Sequence, residues 1–199
     1  IKDFDALERI SITAEKLSAG EILQIEKSMT RSMDEATYFD MIGQKTASLI
    51  ATSCELGAIT TTKKEMDRQS TYKFGLNLGI AFQIKDDLFD ILGTEFQTGK
   101  NSNSDVKKNM ITLPLIHAKS KLSRIEKRKL GKLLNKNKKN KKTLNAIQEI
   151  ITEAGGIQYS IDKMEKFSNL ALDSISHYPD SLFKKSLIDL VAYNGSRLK

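Results

Sequence analysis

Residues 82–93 read FQIKDDLFDILG, with three aspartates, Asp86, Asp87 and Asp90, set in a run of Phe, Ile and Leu. This stretch constrains the chain more than any other. An apolar run is driven into the interior, yet burying an unpaired carboxylate is strongly unfavourable. A fold that accepts both must bring a cation to the acids or leave them on the wall of a cavity.

The surrounding pattern is helical. Apolar residues recur at helical spacing from about Lys64 to Leu92, and Gly93 stops the run. Projected at about 100° per residue, Asp86, Asp87 and Asp90 occupy roughly 100° of arc with Gln83 among them. The other faces carry Leu76, Ile80, Phe82, Ile84, Leu88, Phe89 and Ile91. A helix apolar nearly all round is expected to be buried. Gly75 and Gly79 fall on or beside the acidic stripe, where they are expected to leave room. Three close carboxylates repel one another unless a cation is present. Ligands made only of oxygen, without His or Cys, suit a hard ion such as Mg²⁺, which keeps waters and bridges to phosphates. The alternative, capping or surface salt-bridge aspartates, fits poorly with a mid-helix position and apolar flanks.

The rest of the chain reads as helix too. Further helices are expected over 4–28, from Asp34 to near Gly57, and over 112–119, 123–135, 142–154, 157–177 and 181–196. Residues 93–105 read as a loop, and no run alternates like a strand. Only 2 prolines interrupt the 199 residues, so an all-α fold is expected. One cysteine, Cys54, excludes an internal disulfide framework, and no stretch approaches a membrane span. The net charge of +7 is local: residues 127–142 hold nine Lys or Arg. A solvated helix end and loop explains that run, and an anionic partner is the sharper reading. No aromatic interleaves it, so no base-stacking platform is present.

Basic and polar residues add to the acidic helix. Lys45 and Thr46 lie in KTASLIATSCELGA, an otherwise apolar helix, where an inward lysine binds phosphate as a point charge. Snorkelling to the surface is the competing reading for Lys45. Lys100 follows in a glycine-containing loop suited to folding over a phosphate. His117 and His177 lie apart without paired ligands and read as structural or surface residues, and Cys54 reads as core.

Taken in order, GEILQ (20–24), KTASLIATSCELGA (45–58), GLNLGIAFQIKDDLFDILG (75–93), GK…D…TLPLIHA (99–118) and a closing L…Y…R (187–197) resemble the trans-prenyl diphosphate synthases of the polyprenyl synthetase family, in particular octaprenyl-like members that make quinone side chains. The resemblance covers nearly the whole chain. It implies an isoprenoid synthase-type helical bundle around a central cavity, with residues 1–199 forming the C-terminal part of one domain. It implies condensation of isopentenyl diphosphate with an allylic prenyl diphosphate, with Mg²⁺ as cofactor. Asp86, Asp87 and Asp90 then form the second aspartate-rich, metal-binding motif, with Asp86 as a direct ligand. Lys45, Thr46, Gln83 and Lys100 match diphosphate-contacting positions, and Lys45, Asp86 and Asp87 are the residues on which catalysis is expected to rest. A homodimer in the cytoplasm, no nucleic-acid partner, and peripheral membrane contact through a long product complete the expectation.

Two departures stand out. The family's first aspartate-rich motif and its isopentenyl-binding residues, which precede GEILQ, are not in this sequence, so these 199 residues are expected to lack activity by themselves. The family's usual lysine two residues before the Thr of TLP is Met110 here, with Lys107 and Lys108 nearby. That substitution favours a rival reading as a non-catalytic subunit of a heteromeric synthase, whereas the intact DDLFD opposes it. A terpene cyclase also carries an aspartate-rich helix, but KTA…GA and GK…TLP favour the synthase. Arg197 matches a recurrent C-terminal arginine.

Overall fold

A computed structural model describes residues 3–92, 104–107, 110–136 and 139–196, with the side chains of 104, 107 and 196 outside the description. All regular structure among them is helical. The elements are α1 (Phe4–Thr30), α2 (Glu35–Ile42), a π-helical turn (Gly43–Ala47), α3 (Ser48–Ile59), α4 (Glu65–Leu92), α5 (Ser104–Lys107), α6 (Leu113–Lys121), α7 (Arg124–Leu134), α8 (Lys141–Glu153), α9 (Gly156–Ser174) and α10 (Leu182–Ser196). The expected helices are present with ends displaced by at most three residues. Of the expected loop over 93–105, residues 93–103 lie outside the described residues, whereas Ser104 and Asp105 open the short helix α5, where the Asp90 carboxylate accepts the Asp105 N–H.

Local chemistry sets several of these ends. Asp34 accepts the Thr37 N–H at 2.7 Å and starts α2. Ser123 and Glu126 form a reciprocal capping box at the head of α7. Asn140 accepts the Thr143 N–H at 2.9 Å and starts α8. Pro114 sits in the first turn of α6, where its missing N–H leaves no helical bond unmade.

The chain divides into two compact units: residues 1–23, 39–83 and 163–199, and residues 24–38 and 84–162. In the first unit, Phe74 and Leu78 of α4 form a buried cluster with Ala171, Ile175 and Val191. Helices α3 and α4 cross there at very short range. A Cβ on Gly79 would lie 2.6 Å from the Ala47 Cα, and one on Gly75 would lie 2.7 Å from the Ala51 Cα. The two glycines therefore do not open space beside the acids, as their positions on the helix suggested. They close a seam in which only hydrogen fits between two backbones. In the second unit, α8 packs against both α6 and α7, and Ile84, Leu88, Leu113, Leu130, Ile147 and Ile151 are buried.

Helix α4 is buried along most of its length but not all round. Phe82, expected on a buried face, is 51% exposed. Helix α1 exposes Phe4, Leu7, Ile10, Ile22, Ile25 and Met29. Among the described residues, no helix is long and apolar enough to cross a membrane.

Candidate active site

Within the first unit, Lys45 and Thr46 lie on the π-helical turn between α2 and α3. The defining bond runs from the Ser48 N–H to the Gly43 carbonyl, five residues back. Turns of this kind recur at functional sites, because the wider turn re-aims the side chains it carries. Sequence periodicity expected uninterrupted α-helix here, and a run of small and polar residues gives no signal that separates π from α. Helix α1 crosses this turn at Gly20, whose hypothetical Cβ would lie 2.6 Å from the Lys45 backbone nitrogen. The next residue, Glu21, meets the Lys45 ammonium at 2.8 Å. Lys45 is about one-third exposed. It is therefore neither buried nor a simple snorkelling lysine: a carboxylate holds its head in place. Thr46 donates its hydroxyl to the Gln83 Oε1 at 2.7 Å, fixing the side chain that begins the acidic stripe of α4.

A cavity of about 540 Å³ opens in the same unit between α1, the π turn and α4, lined by apolar residues that include Phe39, Leu76 and Ile80 and by Glu15, Lys16 and Asp40. A cavity of this size suits a small organic ligand.

In the second unit, the three aspartates of α4 have different environments. Asp86 is partly exposed. Asp87 is 5% exposed and accepts the Tyr38 hydroxyl at 2.7 Å. Asp90 accepts the Asp105 backbone N–H at 3.0 Å, tying α4 to the start of α5. Tyr38 has no exposed surface. Burial, and then the adjoining Asp87 carboxylate, push its phenol well above the ordinary tyrosine range, so it stays a neutral donor. Sequence reading missed Tyr38, because its partner lies 49 residues away and an isolated tyrosine on an apolar helix carries no mark. It also missed Lys85, which is 4% exposed with its ammonium 5.6 Å from the centre of the Phe89 ring.

Among the described residues, no three His, Cys, Asp or Glu side chains stand close enough together to hold a metal ion. The donor chemistry nonetheless fits a hard divalent cation. All three candidates are carboxylates, and Asp86 and Asp90 follow one another by one helical turn on one stripe. Asp87 already has one oxygen engaged by Tyr38. An ion held by one or two carboxylates with water and phosphate completing its shell matches that set.

The other singled-out residues have simple places. His117 stacks on Tyr159 with ring centres 3.9 Å apart, and the Tyr159 hydroxyl donates to Glu35. His177 lies against Tyr178. Met110 meets the side-chain amide of Gln24, the last residue of GEILQ. Cys54 is half-buried beside the Phe74 cluster, and burial raises its thiol pKa. Lys100, Lys108 and Arg197 lie outside the described residues, as does the side chain of Lys107.

Residues 1–151 match the polyprenyl synthetase family. Heptaprenyl diphosphate synthase component 2 of Bacillus subtilis (strain 168) is 31% identical over 188 residues, covering 94% of this chain and 53% of its own length. A geranylgeranyl diphosphate synthase of Saccharolobus solfataricus is 32% identical over 167 residues, covering 84% of this chain and 50% of its own. Among solved structures, a decaprenyl diphosphate synthase from Rhodobacter capsulatus superposes with a TM-score of 0.91 at 26% identity, covering 99% of this chain and 61% of that one. A polyprenyl synthase from Caulobacter crescentus CB15, complexed with calcium and isoprenyl diphosphate, gives 0.90 at 26% identity, covering 98% and 59%. The chain thus spans about half the length of the curated relatives it matches. With an all-α fold shared with these synthases and a family match over most of its residues, the chain belongs to the polyprenyl synthetase family.

Proposed function

We propose that the protein to which this chain belongs is a polyprenyl diphosphate synthase, joining isopentenyl diphosphate to an allylic prenyl diphosphate. One observation carries the reading. Helix α4 bears Gln83, fixed by Thr46 beside Lys45, and its next turns bear Asp86, Asp87 and Asp90. Phosphate-binding and carboxylate groups thus follow one another in the sequence of one helix.

In the proposed reaction the allylic C–O bond breaks and the diphosphate leaves with the bonding electrons. The isopentenyl double bond attacks the resulting allylic cation, and a proton is then lost to the departing diphosphate. Lys45 neutralises diphosphate charge, exchanging its present partner Glu21 for phosphate oxygens. Thr46 and Gln83 keep polar groups aimed at the same region. Asp86 and Asp90, with Asp87 held in place by Tyr38, would hold Mg²⁺, which supplies charge neutralisation on the leaving group. The cavity lined by Phe39, Leu76 and Ile80 suits the hydrocarbon tail, which excludes water from the cation. Both compact units are then parts of one synthase domain, acting in the cytoplasm. Lys100 is assigned to the diphosphate by resemblance alone.

Radiolabelled isopentenyl diphosphate, an allylic primer and Mg²⁺ supplied to the complete protein provide the test. Chain elongation is expected. Its absence in a folded, complete protein that still binds diphosphate would favour the reading as a non-catalytic subunit, which Met110 and the similarity to a synthase component support. Native mass then separates a homodimer from a heteromer.

A further inference from the structure

The basic segment around α7 is not absorbed by the synthase reading, and its geometry is more specific than its composition. Residues 119–142 contain twelve Lys or Arg against one carboxylate, Glu126, a net +11 in a chain of net +7, so the remaining residues carry a net −4. Helix α7 turns Leu130 inward, where it is 1% exposed. Opposite Leu130, within about 100° of arc, lie Arg124, Arg128, Lys132 and Ile125. The three cations are exposed, and Ile125 is 82% exposed at the edge of their stripe, between Lys132 and the exposed Lys129. Among the described residues, Arg128, Lys132, Lys136, Lys141 and Lys142 make no ion pair with a carboxylate.

A further cation is added to the same unit. Arg31 ends α1 in the left-handed region at φ 51°, unusual for a residue with a side chain, and its guanidinium donates to Asn135 just beyond α7. Lys139 lies close enough that partial burial and the Arg31 charge both lower its pKa.

We propose that the α7 face and the adjoining Arg31 and Lys139 form a docking surface for an anionic lipid bilayer, with Ile125 entering the headgroup layer. A cationic stripe broken by one outward apolar side chain suits a charged interface that is apolar beneath. A nucleic acid would be met by the charge alone, since the stripe has no aromatic residue for bases to stack on. This inference is independent of the synthase reading, because none of these residues belongs to the proposed active site.

The test is co-sedimentation of the complete protein with vesicles of phosphatidylcholine, with and without about one-third phosphatidylglycerol. Binding to the anionic vesicles, lost at high salt and absent on pure phosphatidylcholine, is expected. The triple variant R128Q/K132Q/K136Q should weaken partitioning by on the order of 100-fold, taking a severalfold loss per charge. I125S should weaken it less and leave the salt dependence unchanged. All four residues are exposed, and unchanged circular dichroism confirms folding. Turnover in detergent solution should be the same for all variants, which separates this proposal from the synthase assignment. Equal binding to both vesicle types, full binding by the triple variant, or displacement from vesicles by stoichiometric RNA would overturn it.

Discussion

Helices α4 and α7 use charge in opposite ways. Towards the end of α4 charged groups lie among apolar residues, and three of them have specific neighbours: Tyr38 on Asp87, the Asp105 N–H on Asp90, Phe89 beneath the Lys85 ammonium. On α7 the cations point outward and crowd together with few counter-charges. The difference follows from solvation. A buried carboxylate without a donor is strongly unfavourable, so the sequence that buries it must also supply the donor, even from 49 residues away. A hydrated lysine has no such requirement. Substitutions of the buried charged residues of α4 should therefore be felt by fold and chemistry together, and those of the exposed cations of α7 by neither.

The sharpest way to break this contrast is Asp86→Ala in the complete protein. Loss of one charge-stabilising group should lower turnover on the order of 10²–10³-fold, measured by steady-state elongation. A near-native rate would remove the basis for the α4 assignment. Next comes Tyr38→Phe, which takes the donor from Asp87 and should destabilise by about 1–3 kcal/mol in chemical denaturation. The same pair has a pH signature. The Tyr38 phenol titrates above its unfolded value of 10.0, so the contribution is present below pH 10 and is lost as the pH rises beyond it. Tyr38→Phe should lack this alkaline loss, and identical alkaline denaturation of the two proteins would count against the buried pair.

A third test sets one residue type against itself. Gly79→Ala places a Cβ against the Ala47 backbone and should destabilise by about 1–3 kcal/mol. Gly131 is also inside a helix, but a Cβ there meets nothing within 4 Å. Gly131→Ala on α7 should therefore stabilise by roughly 0.5–1 kcal/mol. Thermal melts with opposite signs are expected, and equal signs would refute the close seam. The smallest effect concerns the exposed caps. The Ser123 hydroxyl and backbone hold the Glu126 carboxyl below its usual 4.5, and the Thr37 backbone and side chain hold Asp34 below 3.8. Their stabilisation is present above those values and is lost as the pH falls through the lowered ones. Ser123→Ala should flatten the acid limb of the melting curve slightly.

What the sequence makes legible tracks how local the cause is. Helix α4 was readable to within a residue at its start, because twenty-eight residues repeat one spacing and Gly93 follows. The acidic stripe, with Gln83, Lys45 and Thr46, was readable from residue type and order. The partners were not. Gly75 and Gly79 looked like room beside the acids, yet they serve a helix crossing visible only when α3 is placed against α4. Phe82 looked buried because its neighbours are apolar, and it is half exposed. Glu21 gave no hint that it would hold Lys45, since an ion pair between helices leaves no periodic trace.

The π turn at Gly43–Ala47 bears on how the chain tolerates insertions and deletions. Relative to ordinary helix, such a turn accommodates one extra residue. Removing one residue between Gly43 and Ala47 would let the helix close to regular spacing without turning α3, because the residue lost is the one the wide turn absorbs. Ala51 would then stay against Gly75. A deletion within Ser48–Ile50 would instead turn Ala51 by about 100° away from Gly75. Two neighbouring stretches of one helical path thus differ in whether a lost residue is absorbed locally or passed on as a shift of register.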